Sequence, residues 1–212
     1  QAILRSGATG LGIGYETFAN DYGAANYSSM RSSKLEERGK VTLERFTGGP
    51  ALERLLEEGF QLEQSGWKGR EGTAIACDPA VRGFYAEYAR AAALAGELSL
   101  YFLRVGGEAV GFHYGLTRGD TYYLPKMAYA EELKECSPGQ LIMQAVLEDC
   151  CARGLKEFDF LGPLMPWKQD WTDEVRVHHW LYVFAKSRKG RALEQLKFRW
   201  VPVAREAIGW KR

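Results

Sequence analysis

The segment SGWKGREGT, residues 65–73, places Trp67, Lys68, Arg70 and Glu71 among three glycines. Glycine weakens both helix and strand, so we predict a mobile loop here. A guanidinium such as that of Arg70 can bind a carboxylate or phosphate through two parallel hydrogen bonds. The loop therefore predicts binding of a polar molecule, anionic or sugar-bearing. The alternative is a structural link between helices in which Trp67 fills a gap.

A second group of chemically capable residues lies in PWKQDW, residues 166–171, where Lys168 stands between Trp167 and Trp171. An ammonium group that follows the carboxyl end of a strand can stabilise an oxyanion or a leaving group. The alternative is a solvated loop lysine with no chemical role.

Asp159 alternates with Phe158 and Phe160, so we expect its side chain to point away from the face that these rings bury. A carboxylate in this place could act as general base for an amine, or it could hold Lys168. A cap or a surface charge is the alternative.

The segment TYYLPKMAY, residues 121–129, carries Tyr122, Tyr123 and Lys126. A tyrosine such as Tyr123 could act as general acid toward a leaving group. Packing in the core is the alternative for each of these tyrosines. His113, on the preceding strand, is predicted to be a core histidine whose ring nitrogens are satisfied by hydrogen bonds.

Hydrophobic patterning defines the helices that position the first segment. Apolar residues at helical spacing follow Pro50 and predict a helix that ends near Gln64. A second helix is predicted over Val81–Ala95, with Phe84, Tyr85, Tyr88 and Ala92 on one face. Residues 65–73 therefore lie between two helices.

The remaining elements predict a mixed α/β (α+β) fold. Three β-rich runs separated by short glycine turns predict an antiparallel meander. A helix begins at Ser137 and ends at Gly154, and because it separates the strands of Tyr123 and Phe158, we expect these strands to be parallel. The strands are predicted at residues 41–46, 98–105, 109–117, 121–129, 156–162 and 178–186, with a helix after the last.

Composition restricts the classes of protein. The 212 residues carry a net charge of +1, which argues against polyanion binding driven by bulk charge. No apolar run approaches the length of a membrane span, and no signal peptide opens the chain. The four cysteines form no CxxC pair and the three histidines are scattered, so we expect a reduced, cytoplasmic protein without a metal site.

Four segments together make the chain resemble the GNAT acyltransferase superfamily. The resemblance is to the BioF2-like or CelD-like branch, which is related to the FemABX aminoacyl transferases. It runs from about Val41 to about Lys186 and rests, in this order, on SGWKGREGT, TYYLPKMAYAEELKECSPGQLIMQ, GLKEFDFLG and PWKQDW. It implies a GNAT fold and transfer of an acyl group from an activated carrier, acyl-CoA, to an amine.

The resemblance also assigns places to the carrier and the acceptor. In GNAT proteins a bulged strand splays from its parallel neighbour, and the pantetheine arm of the carrier lies between them. Pro125 cannot donate a ladder hydrogen bond, so a bulge is expected there, with Lys126 and Met127 beside the carrier. The start of the next helix would hold a pyrophosphate through Ser137, Gly139, Gln140 and Leu141, although ECSPGQ keeps one glycine of the usual pattern. The alternative is an ordinary capped core helix.

By the same resemblance, Lys168 matches the lysine of an F-K-x-x-F segment in FemABX proteins, and Trp67, Lys68, Arg70, Glu71 and Trp171 border the acceptor. The acceptor is expected to be a small-molecule or sugar-linked amine.

Two other functions stay open at this point. One is a transferase that takes its acyl group from aminoacyl-tRNA, although a near-neutral chain is less suited to RNA. The other is an inactive binding module. The sequence further predicts a connector or a remnant of a preceding module at residues 1–40, a transferase domain at 41–190 and a C-terminal helix at 191–212. The sequence leaves the oligomeric state open.

Overall fold

The computed structural model describes residues 34–177, 179 and 181–202, and the backbone of residues 3–5. The chain forms two compact units, Gln1–Arg176 and Val177–Arg212. The first unit contains a sheet of six strands in the order β1-β6-β5-β4-β3-β2. The strands are β1 (Ile3–Arg5), β2 (Val41–Phe46), β3 (Leu98–Val105), β4 (Glu108–Arg118), β5 (Thr121–Tyr129) and β6 (Glu157–Asp159).

The strand pairing confirms the predicted mixed sheet. Strands β3, β4 and β5 form the antiparallel meander, and β2 extends it beside β3. Strand β5 pairs parallel with β6, as expected for two strands that a helix separates along the chain. Strand β3 is buried along its whole length, which fits a sequence in which all residues but Ser99 and Arg104 are apolar or aromatic.

Helices cover both faces of this sheet. In chain order they are α1 (Leu52–Ser65), α2 (Trp67–Arg70), α3 (Pro79–Leu94), α4 (Pro138–Ala152) and α5 (Pro166–Gln169). Helices α1 and α3 pack with Phe102, Phe112 and Tyr114 on one face, the α1 face. Helix α4 packs with Tyr101 and Phe158 on the other, the α4 face.

Helix α1 lies close to the sheet because it carries a glycine at the contact. Its buried residues are Leu52, Leu55, Leu56, Gly59, Phe60 and Glu63, as the helical spacing predicts. A Cβ atom at Gly59 would lie 2.4 Å from the ring of Phe112. Only glycine allows this approach without a shift of the ring.

One prediction about this part of the chain is wrong. Trp67–Arg70 form a short helix, α2, because the backbone N–H of Arg70 and that of Glu71 donate to Gly66 and Trp67, so the segment is not a loop throughout. The second helix is present as α3, on which Ala89 and Ala92 are buried, Tyr85 packs partly buried against the same core, and Phe84 and Tyr88 are exposed.

The second unit contains α6 (Arg188–Gln195), which continues through Leu196–Trp200 in a wider helical turn. The predicted strand at 178–186 is wrong, because residues 179 and 181–186 have no strand pairing. Among the described helices of the chain, none is both long and apolar enough to cross a membrane. The predicted connector at 1–40 lies largely outside the described residues; within it, β1 pairs antiparallel with β6.

Candidate active site

A β-bulge in β5 organises the site. In the β4–β5 ladder Tyr114 pairs with Lys126 and Leu116 with Tyr123, so two residues of β5 lie opposite Gly115 alone. One of these two is Pro125, which has no N–H to donate to the ladder. The bulge that Pro125 predicts is therefore present.

The bulge changes the face to which the following side chains point. Before it, Tyr122 and Leu124 pack on the α4 face. One extra residue reverses the alternation. Lys126 consequently points to the α1 face, where its Nζ lies 5.4 Å from the ring centre of Tyr85 on α3, and Met127 packs on the α4 face.

Strand β5 separates from β6 directly at the bulge. The last parallel pair joins Tyr123 to Asp159, and from there to Tyr129 strand β5 pairs, among the described strands, only with β4. A cavity of about 650 Å³ opens at this separation. It is lined by residues 124–129 of β5 and 160–162 after β6, together with parts of α1, α2, α4 and α5.

Met127 directs its backbone toward this cavity. The N–H of Ala130 donates to the carbonyl of Val110 on β4 at 2.9 Å. Because ladder bonds alternate along a strand, Ala128 and Ala130 face β4 and Met127 faces the opposite edge. In agreement, the Met127 carbonyl accepts a hydrogen bond from Lys68 Nζ at 2.7 Å. The Met127 N–H therefore points into the gap that β6 leaves.

The α4 end of the cavity includes Lys134, Ser137, Gly139 and Gln140. Ser137 is left-handed, with φ of 49°, and its carbonyl accepts from the N–H groups of Gln140 and Leu141. Pro138 has no N–H, so among the described residues the first turn leaves only the Gly139 N–H without an acceptor. Gly139 also lies against the ring of Tyr129, which a Cβ atom would approach to 2.9 Å.

At the α1 end, Lys68 connects α2 to β5. Its Nζ donates to Glu63 Oε1 at 2.8 Å as well as to the Met127 carbonyl. Glu63 is buried, and its second oxygen accepts from the Ile75 N–H at 2.8 Å. The lysine, the carboxylate and the strand edge thus form one fixed unit in the cavity wall.

Glu131 holds the start of α2 at the rim. It accepts from the Trp67 N–H at 2.6 Å and from Arg70 Nη2 at 2.7 Å. The hydrogen bond from Arg70 is the main reason that the pKa of Glu131 is lowered. Trp67 and Glu131 line the cavity, whereas Arg70 and Glu71 lie outside its lining.

Lys168 is buried at the α5 side, so the alternative of a solvated loop lysine is wrong. Its Nζ donates to the carbonyls of Leu161 and Pro163 and lies 5.5 Å from the ring centre of Trp167. Burial lowers the pKa of Lys168, and the charge of Asp159 partly opposes this effect. Lys168 lines the cavity and fixes the loop that follows β6.

Asp159 is buried too, and it lies outside the cavity lining. It accepts from the Leu161 N–H at 2.8 Å and from Arg176 Nη1 at 3.3 Å. The first bond caps the tight turn in which Leu161 takes a φ of 50°. Of the alternatives for Asp159, the structure favours a cap over a surface charge.

The cavity brings together nine of the predicted site residues and leaves five outside its lining. Inside are Trp67, Lys68, Lys126, Met127, Ser137, Gly139, Gln140, Lys168 and Trp171; outside are Arg70, Glu71, Tyr123, Leu141 and Asp159. Tyr123 packs on the α1 face and Leu141 against the α4 core.

Sequence reasoning missed Glu63, Tyr129, Glu131 and Lys134, which all line the cavity. Glu63 had a signal, since it is a carboxylate at an apolar position of an amphipathic helix. The other three follow no pattern in the sequence.

A split parallel pair beside a bulged strand, with a helix start at one end of the gap, defines a GNAT-type transferase domain. A profile of the acetyltransferase (GNAT) domain family matches residues 27–169, and the chain belongs to this family. Membership supports acyl transfer as the general activity. No curated protein matches the chain.

One solved structure similar to the chain is the C-terminal domain (DUF2156) of a putative lysylphosphatidylglycerol synthetase from Agrobacterium fabrum. The two are 14% identical, with a TM-score of 0.47. The match covers 74% of this chain and 44% of that structure, so the chain spans less than half of that relative's length.

Proposed function

We propose that this protein is an N-acyltransferase that moves an acyl group from an acyl-CoA-type thioester to the amine of a small-molecule or sugar-linked acceptor. It would belong to the BioF2-like or CelD-like branch that the sequence resembles. The observation that carries the proposal is the cavity at the separation of β5 from β6, which joins the start of α4 to a polar wall on α1 and α2.

The unpaired edge of β5 suits the carrier. A pantetheine arm contains amides, which can pair with backbone groups that β6 does not reach. Met127 N–H would donate to the thioester carbonyl and stabilise the oxyanion that forms on attack. At the α4 end, Lys134 and the Gly139 N–H would meet a phosphate.

The chemistry is attack of the amine nitrogen on the thioester carbonyl carbon, followed by cleavage of the C–S bond. The amine loses a proton, and the departing thiolate gains one. In this proposal Tyr129, which lines the cavity, replaces Tyr123 as the tyrosine near the thiolate. Lys168 holds the loop at residues 161–163 and places positive charge near the reacting carbonyl.

A different donor, aminoacyl-tRNA, is favoured by one observation. The first turn of α4 offers a single N–H, that of Gly139, whereas a pyrophosphate is usually held by several. The second class of donor would place a ribose ester in the same gap, with the oxyanion still at Met127. An inactive binding module would bind one of these donors without transfer.

Thermal unfolding with each donor separates these functions. Acetyl-CoA at about 100 times its Kd should raise the Tm by about 5–10 °C for a chain of this size. Mass spectrometry of an amine mixture incubated with protein and acetyl-CoA should then show N-acetyl products. A shift without product indicates a binding module. A shift and product with aminoacyl-tRNA alone would replace the donor, and neither with any donor would overturn the proposal.

A further inference from the structure

The α1 end of the cavity holds more positive than negative charge. Lys68 Nζ lies 2.8 Å from Glu63 Oε1, and Lys126 Nζ lies 4.0 Å from the same oxygen. The other oxygen of Glu63 is bound to the Ile75 N–H. Two ammonium groups therefore share one carboxylate, and Lys68 occupies the near position.

The second carboxylate of the cavity wall does not neutralise this excess. Glu131 is held by Arg70 and by the Trp67 N–H at the rim. Among the described residues, Glu63 is the carboxylate within ion-pair distance of Lys126. Lys126 is thus a partly buried cation. The carboxylate nearest to it, that of Glu63, forms its closer ion pair with Lys68.

The bulge decides which ligand Lys126 can meet. It turns the side chain to the α1 face, above Tyr85, whereas the start of α4 lies against the opposite face. Lys134, on the α4 side, is the cation available to a carrier phosphate. Lys126 is therefore available to the molecule that enters from α1 and α2.

We propose that the acceptor is an amine that also carries an anionic group, carboxylate or phosphate, and that this group binds Lys126. The identification of this molecule as the acceptor rests on the proposed function. A simple amine enters as an ammonium ion and is repelled by Lys68 and Lys126, whereas an anionic group on the same molecule offsets this repulsion. Lys126 thereby selects a zwitterionic acceptor.

Binding of matched amines to the full chain, measured by calorimetry without any acyl donor, tests the proposal. The probes are β-alanine, 2-aminoethylphosphonate and propylamine, which share an ammonium group and differ in the anion. We expect one or both anionic amines to bind at least about tenfold more tightly than propylamine. Which of the two anionic amines binds more tightly distinguishes an acceptor with a carboxylate from one with a phosphate. Equal binding of all three, or no saturable binding of either anionic amine, overturns the proposal.

Three variants locate the anion. Lys126→Met should abolish the preference, Lys126→Arg should keep most of it, and Lys134→Met should leave it unchanged. Loss in Lys134→Met with retention in Lys126→Met would place the anion at the carrier end and overturn the assignment. A Lys156→Met control removes a lysine outside the cavity lining that pairs with Asp120.

The result of this binding measurement does not depend on acyl transfer. If no donor is ever used but the preference exists and disappears in Lys126→Met, the anion site stands and the transferase proposal fails. If transfer occurs while the preference is absent, the transferase proposal stands and the anionic acceptor is wrong.

Discussion

At the scale of single residues, the site depends on backbone groups as much as on side chains. Met127 has its carbonyl fixed by Lys68 and its N–H directed into the cavity. Lys168 donates to two loop carbonyls, so its ammonium is already committed to structure. Substitutions at these positions must therefore separate a loss of chemistry from a loss of structure.

Met127→Pro removes the N–H that the proposal assigns to the oxyanion. Because this N–H faces away from β4, no ladder hydrogen bond is lost and the fold should survive. The rate of acyl transfer should fall by about 10²–10³. Single-turnover transfer, with circular dichroism to check folding, measures the effect. Met127→Ala keeps the N–H and is the control; equal rates in both variants would remove the Met127 N–H from the mechanism.

Lys168→Met should lower both stability and rate. It leaves the carbonyls of Leu161 and Pro163 without their donor, which typically costs about 1–3 kcal/mol of unfolding free energy. Urea unfolding measures this loss, and single-turnover transfer measures the rate. Lys168→Arg should restore only part of either quantity, because a planar guanidinium presents its donors differently. Unchanged stability in Lys168→Met would contradict a role in holding the loop.

At the scale of elements, two glycines on helices have opposite environments. A Cβ atom at Gly59 of α1 meets the Phe112 ring at 2.4 Å, whereas one at Gly83 of α3 meets nothing within 4 Å. The first helix is held close to the sheet by its glycine, and this closeness brings Glu63 to the cavity wall. The second glycine only weakens its helix.

Gly59→Ala should lower the unfolding free energy by about 1–3 kcal/mol because it overpacks the contact with Phe112. Gly83→Ala is the matched control and should raise the unfolding free energy by about 0.5–1 kcal/mol, as alanine favours a helix. Urea unfolding of both variants measures the difference. The same sign of change at both positions would show that α1 does not approach the sheet as described.

At the scale of the whole molecule, a buried histidine links folding to pH. His113 on β4 is fully buried as predicted, but the predicted hydrogen bonds are wrong, because neither ring nitrogen has a partner among the described residues. Burial lowers its pKa to about 3. Between pH 3 and 6.5 the unfolded chain therefore binds a proton that the folded chain does not.

The unfolding free energy should consequently fall as the pH drops from 6.5 toward 3, by about 1.4 kcal/mol per pH unit from this group. Above pH 6.5 the histidine is neutral in both states and adds no slope. Urea unfolding between pH 6.5 and 5 should show a steeper fall for the wild-type chain than for His113→Leu. Identical slopes would contradict burial of His113 in a neutral form.

The sequence by itself determined the order of the elements through Asp159 and one local detail of the site. Apolar periodicity placed α1, and glycine turns marked the meander, because these signals depend on residues near one another in the chain. Pro125 predicted the bulge for the same reason, since a missing N–H is a property of that residue alone.

Only the tertiary structure decided which side chains meet in the cavity. Arg70 donates a hydrogen bond to Glu131, which lies 61 residues away in the chain. No local sequence pattern could therefore predict that this guanidinium is paired. Lys126 points to α1 and not to α4 because the one extra residue of the bulge reverses the alternation of the side chains that follow it. The sequence left open whether Lys168 is solvated; it is buried, since its acceptors are carbonyls of a loop whose path depends on the turn at Leu161. Distances between segments remote in sequence are set by packing, and no local pattern encodes them.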